Sequence, residues 1–337
     1  MNRQQSLLPS VVAVAIGVAV AVGLLVVGSR DPAQSLRAYF VSPFSNRFFF
    51  GNMLSSSGYL LVAAIGIIVA FRAGLYNLGG DGQIYVGALV ATYVALAMPG
   101  LPAPVGTLVL LTASAATGAL MAAASGAAKH LWDAPEIITS YLLSAALIPV
   151  ADYAIAGPLR DPSRSLLASA RIPSAYRLSR LLPPSELNTS ALVAIALAIA
   201  LFAWIERTTR GYELRMTGMN RDFAAYVGIS RAGYTIGALA VSGALHGLSG
   251  GLMIAGTFHA AVSGFSLGIG WNAIAVALVA RLDPLLAIGS ALLFGYLEAG
   301  ARTAMLQTDF TFQLGMVVQA VILFFVTGSV LIRSRRR

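Results

Sequence analysis

Leu7–Gly28 reads LLPSVVAVAIGVAVAVGLLVVG, a run without a single charge. A helix crossing the hydrocarbon core of a bilayer needs about 20 apolar residues, so this run is long enough to span one. A cleaved signal peptide has a shorter apolar stretch. Further runs of the same kind follow, which makes this one an uncleaved first helix. Working outward, the next candidates are Met53–Phe71, Gln83–Met98, Val105–Ala128, Ile137–Ala156, Thr189–Ile205, Tyr234–Gly256, Trp271–Val279, Leu285–Ala304 and Phe312–Ile332. Trp271–Val279 is too short for a full crossing. It reads as a broken or re-entrant element lengthened by the glycine-rich segment before it, a backbone allowed where protein or a cavity covers it. The expected fold is an all-α polytopic integral membrane protein of about ten transmembrane helices.

Composition agrees. The 337 residues are 58% apolar and 10% charged, with a mean hydropathy of +0.80. A soluble domain is about 45–50% apolar and about 25% charged, and a disordered chain needs low hydrophobicity with high charge. The net charge of +9 is carried by 21 arginines and one lysine, Lys129. On a soluble chain that excess suggests nucleic acid. Here the charges lie between apolar runs, so the expected surroundings are lipid, with no nucleic acid. Cysteine is absent, which removes disulfides, thiol nucleophiles and Cys-ligated metals. Ten crossings leave both termini on one side. With the amino terminus inside, inner segments hold 13 basic residues against 9 outside, and this sign favours cytoplasmic termini.

The chain divides into a first helix with an outer segment (1–52), a first half (53–156), an outer loop (157–188) and a second half (189–337), all within one transmembrane domain. The outer loop is rich in proline and carries five arginines. The polar inner loop, 206–233, offers a short helix at Asn220–Tyr226. Asn220 suits the N-cap, Asp222 the first turn, and Gly228 the helix end. Leu78-Gly79 followed by Ala88–Ala91 recurs at a constant offset as Leu267-Gly268 and Ala277–Ala280. Those two spans would run in opposite directions, as in an inverted repeat.

Polar groups inside a membrane are functional hypotheses by default. Gly74–Gln83 holds four glycines with Asn77, Asp81 and Gln83, too many glycines for a continuous helix. It reads either as broken backbone facing a cavity or as a tight turn with Asp81 capping the next helix. His259 and Asn272 flank a second glycine-rich break. His246, among Gly243, Gly247, Gly250 and Gly251, reads as a histidine hydrogen-bonded to a closely packed neighbouring helix. Asp133 and Glu136 have capping-box spacing, and Glu298 and Arg302 can pair on one helix face. The only lysine is followed by His130, so there is no Gly-Lys-Ser/Thr phosphate loop. No histidine pair has metal-ligand spacing and no G-x-S-x-G occurs. No catalytic residue, metal site or cofactor is expected in this chain.

These motifs resemble the membrane subunits of ABC-type importers in the branched-chain amino acid and monosaccharide permease superfamily. Within that group the chain is most similar to the nucleoside and simple-sugar permeases that work with basic-membrane-protein-type binding lipoproteins. The resemblance covers nearly all of residues 50–305. It rests on Phe71–Gln83, Glu136-Ile137-Ile138-Thr139-Ser140, Gly211-Tyr212-Glu213-Leu214-Arg215, Gly218-Met219-Asn220, and Gly264-Phe265-Ser266 through Ala275–Leu278. Gly80 and Asp81 stand where the family usually has Ala and Glu, and Arg221-Asp222 where its coupling segment has Pro-Glu.

The resemblance implies a type II ABC importer fold and a permease of a bacterial cytoplasmic membrane. It implies a partner ATPase that carries the ATP and Mg, a binding lipoprotein, and a second permease subunit, a paralogue in the nucleoside branch. On this reading the solute pathway holds Asn77, Asp81, Gln83, His259 and Asn272. Coupling to the ATPase falls to Glu213, Arg215, Asn220, Asp222, Ala224 and Ala225. The cargo is a nucleoside-like or simple-sugar-like solute. Riboflavin, a pentose or a branched-chain amino acid are the alternatives within this architecture. An ion-coupled secondary transporter using Asp152 or Glu298, and an intramembrane enzyme, are the rivals outside it.

Overall fold

The computed structural model describes residues 8–163, 165–266 and 268–309, with Val317, Ala320, Val321, Phe324 and Phe325 beyond them. Among these residues every regular element is a helix. Among the described residues six helices are long and apolar enough to cross a membrane. The expected last span, Phe312–Ile332, lies mostly outside the described residues, and Leu267 of the internal echo lies outside them.

The first span is α1 (Leu8–Gly28). A short α2 (Pro32–Phe40) follows, which the sequence reading did not separate from its loop. Asp31 caps it by accepting from Gln34 N–H, with proline at the first helical position. Helix α3 (Arg47–Arg72) begins six residues earlier than its apolar run, because Asn46 accepts from Phe49 N–H and starts the helix. Then come α4 (Gly80–Ala97), α5 (Val105–Trp132) and α6 (Glu136–Ala156). After the 157–189 loop the chain forms α7 (Ser190–Arg207), α8 (Thr209–Met219) and α9 (Arg221–Tyr226). Helix α10 (Arg231–Met253) ends in a π-turn at Ile254–Phe258. Helices α11 (Ile269–Val279) and α12 (Leu286–Gln307) complete the described bundle.

Which helices lie inside follows from their surfaces. Helix α3 is apolar all round, as a helix surrounded by protein must be, and 83% of its apolar window is buried; for α10 the figure is 78%. The corresponding windows of α1, α6 and α7 are only 22%, 17% and 22% buried, so these helices form the periphery. Lipid is as apolar as leucine, so helices associate in it through close packing of small residues. Helix α10 meets α5 in this way: a Cβ at Gly118 or at Gly243 would overlap the other residue's carbonyl oxygen.

The expected capping box at Asp133 is not formed. Asp133 instead ends α5 in the left-handed conformation, and Pro135 occupies the cap position of α6 without a side-chain bond. The cause is Lys129, one turn back, which pairs with Asp133 at 2.9 Å and reaches Glu136 at 3.8 Å. That hydrogen bond holds the Asp133 carboxyl below its ordinary pKa.

Candidate functional site

The break between α3 and α4 covers residues 73–79, and α4 starts three residues before the apolar run suggested. Side chains replace the missing helical bonds. Asn77 Oδ1 accepts from Gly79 N–H at 3.0 Å and from Gln83 Nε2 at 3.0 Å. Asn77 Nδ2 donates to Gln83 Oε1 at 2.9 Å and to Ser242 Oγ at 3.0 Å. His246 Nδ1 lies 2.8 Å from Gln83 Oε1. Ser140 and Ser144 of α6 accept from the N–H groups of Leu78 and Gly82. His246 therefore bonds a neighbouring helix, as its glycine-rich setting suggested. Asn77, Gln83 and His246 are all buried, in a network joining α4, α6 and α10.

Asp81 does not cap its own helix, whose cap position is Gly79. Its carboxylate reaches across to α11, accepting from Gly270 N–H at 3.3 Å and from Ser266 Oγ at 3.5 Å. A carboxylate at the first turn of a helix faces its free N–H groups and its positive dipole end. Asn272 is half-buried, two residues further along α11. Helices α4 and α11 thus both begin at broken backbone and touch at their first turns, where a Cβ on Gly270 would overlap the Asp81 backbone.

The 157–189 loop folds back over the bundle. Its backbone bonds the second break through Ile172 N–H to His259 O at 2.8 Å, Ser169 N–H to Ala261 O at 2.9 Å and Ser263 N–H to Leu167 O at 3.0 Å. Under it lie two cavities with shared walls. One, of about 490 Å³, is lined by Arg171, Arg177, Arg180, Glu186 and His259. Glu186 binds Arg180 through both carboxylate oxygens, at 2.7 and 2.8 Å. The second, of about 250 Å³, lies deeper, between α3, the α10 π-turn, α11 and α12. Glu186, Thr257 and Phe258 line both cavities.

Of the expected pathway residues, His259 lines the outer cavity, while the remaining four sit at the two breaks. The sequence reading passed over Tyr59, Thr257, Phe258 and Phe265 of the deeper cavity, although the glycine-rich end of α10 marked the place. Glu298 and Arg302 form the expected pair at 2.5 Å and line the deeper cavity. Asp152 accepts from Tyr85 and, at 2.6 Å, from Ser263.

At the opposite end of the bundle, α8 and α9 occupy the 206–233 loop. The sequence reading had only α9 there, and it forms where expected. Asn220 Oδ1 accepts from Phe223 N–H at 2.9 Å, and Gly228 ends the helix at φ +88°. Helix α8 is an addition, capped by Thr208. Glu206 binds Arg72 at 3.2 Å and also Arg215. Glu213 accepts from Tyr234, and Asp222 pairs with Arg231 at 2.6 Å. Ala224 packs inward and Ala225 is half-buried. Arg221 donates to the Gly74 carbonyl at 3.1 Å. The helix is thereby tied to the α3–α4 break, while Phe223, Tyr226 and Val227 stand 48%, 88% and 52% exposed.

Comparison with known proteins places this arrangement. Residues 49–327 match the family described as the branched-chain amino acid transport system permease component. The chain belongs to this permease family. The permease is 32% identical over 323 residues to a Treponema pallidum protein named "Probable riboflavin import permease protein", covering 95% of this chain and 85% of that one. It is 28% identical to the guanosine ABC transporter permease of Bacillus subtilis, over 99% and 96% of the two chains. It is 29% identical to the glucose ABC transporter permease of Haloferax volcanii, over 94% and 87%. No solved structure matches the chain. The permease is therefore a multi-pass membrane subunit of an ABC transporter.

Proposed function

We propose that the permease imports a nucleoside-like solute, driven by ATP hydrolysis on a partner ATPase that binds α9. The observation that carries this reading is α9 itself, whose aromatic face is free while its base is bonded to the α3–α4 break. Closure of the ATPases pushes on α9. The Arg221–Gly74 bond and the Glu206 ion pairs pass that push to α3 and α4, which rock as rigid bodies and alternate access to the cavities. The 157–189 loop, at the far end, receives a solute-binding lipoprotein. A second permease, a paralogue of this one, completes the membrane assembly. ATP and Mg stay on the ATPase, and this chain needs no cofactor of its own.

The same reading places the permease in a bacterial inner membrane with ten crossings and both termini cytoplasmic. Two observations support an inverted repeat. Gly79 and Gly268, separated by the offset of the sequence echo, cap α4 and α11. At that same offset Asp31 and Asn220 cap α2 and α9, one at each end of the bundle.

The test is uptake into proteoliposomes holding both permeases and the ATPase, with binding protein added. ATP-dependent entry of inosine, adenosine or uridine, lost when Asn220 and Asp222 are replaced by bulky residues, is the expected result. Uptake without ATP under a proton gradient overturns it. Riboflavin is the second cargo to test, because the Treponema relative carries that name.

A further inference from the structure

The deeper cavity has an uneven wall. Phe258, Phe265, Met253 and Ile269 give it an apolar side, with Phe258 and Phe265 edge-to-face at 5.3 Å between ring centres. Most of its polar side chains already bond the protein. Asn52 accepts from Glu186 N–H at 2.8 Å, Ser55 donates to the Glu186 carbonyl at 3.2 Å, and Tyr59 bonds Thr257 at 2.8 Å. Glu298 and Arg302 differ. They join only through Oε1 and Nη2, and among the described residues no hydrogen bond reaches Glu298 Oε2 and none leaves Arg302 Nε or Nη1. An open acceptor and a row of open donors thus stand side by side in a cavity whose apolar side is made by Met253, Phe258, Phe265 and Ile269.

We infer that Glu298 and Arg302 form a specificity element that reads the edge of a planar heterocycle with a ring N–H next to a carbonyl, a lactam or imide. The ring N–H donates to Glu298, the carbonyl accepts from Arg302, and Phe258 covers the ring face. Hydrogen bonds to charged partners are stronger than those between neutral groups. A sugar has neither a ring N–H beside a carbonyl nor a flat aromatic face for Phe258 to cover, so it meets neither feature. The inference rests on the cargo class proposed above and narrows it to 6-oxopurine, uracil-type or isoalloxazine rings.

The test uses the purified permease assembly without binding protein and saturation-transfer NMR, which detects weak ligands directly. Inosine, 1-methylinosine and ribose are the probes, because N1-methylation replaces the ring N–H by N–CH3 and keeps the neighbouring carbonyl. Inosine is expected to bind about tenfold more tightly than either of the others, and Glu298→Gln to erase the gap between inosine and its methyl derivative. The first comparison needs no variant, so a folding defect cannot obscure it. Equal binding of inosine and 1-methylinosine by the unaltered protein, or tighter binding of ribose, overturns the assignment. If either result accompanies ATP-dependent inosine uptake, the specificity element falls and the transport reading stands. If no heterocycle is taken up at all, both fall.

Discussion

Asn77 and Gln83 show how residue chemistry builds a break inside a membrane. Gly is unfavourable in a helix by roughly 1 kcal/mol relative to Ala, so the 74–82 glycines loosen the backbone. Loosened backbone in lipid needs new partners for its N–H groups. Asn77 supplies one by accepting from Gly79 N–H, and the two serines of α6 supply others. Gln83→Leu removes the bonds that Gln83 makes to Asn77 Oδ1, Asn77 Nδ2 and His246 Nδ1. It is expected to cost about 1–2 kcal/mol and to lower the melting temperature in detergent by a few degrees. An unchanged Tm would remove the network from the account of stability.

At the scale of elements, two contacts are decisive. The first is α4 against α11, where Gly270 admits the Asp81 backbone and accommodates no Cβ. Gly270→Ala is expected to lower Tm and abolish uptake, whereas Gly237→Ala, on an open face of α10, leaves both unchanged. Equal behaviour of the two variants would refute the close approach. The second is α9. Removing its aromatic anchors with Phe223→Ser and Tyr226→Ser is expected to weaken ATPase binding by at least about tenfold, as loss of buried aromatic anchors does at other interfaces. Arg221→Gln has a different expected outcome. The exposed face survives and the ATPase still binds and hydrolyses ATP, but uptake falls because the bond to Gly74 is gone. Parallel loss of binding and uptake in that variant would make Arg221 part of the docking face and not of the transmission.

For the whole molecule, sidedness is the open quantity, and the absence of cysteine in the chain makes it measurable one residue at a time. Leu181→Cys, on the 157–189 loop, should react with a membrane-impermeant maleimide in intact cells. Tyr226→Cys, on α9, should react only after the membrane is opened. The reverse pattern would invert the topology and move α9 away from any cytoplasmic ATPase.

Much of this was legible in one dimension. A long apolar run can satisfy its backbone in lipid only as a helix, so composition and run length alone determined the fold class and most helix positions. Asn220 and Gly228 marked α9 because caps are local chemistry. The capping box at Asp133 failed because Lys129, one turn back, competed for the same carboxylate. The partners of Asp81 were illegible for a different reason: Gly270 and Ser266 lie far along the chain, on and beside α11. The cavities were equally out of reach, since their walls join segments far apart in the chain, such as 171–186 with 257–259. The sequence by itself determined that this protein spans a membrane as helices and where most of them begin and end, because backbone satisfaction and capping act within a few residues. Only the tertiary structure decided which polar groups close on one another and which stay open to a cavity, because that depends on which helices meet.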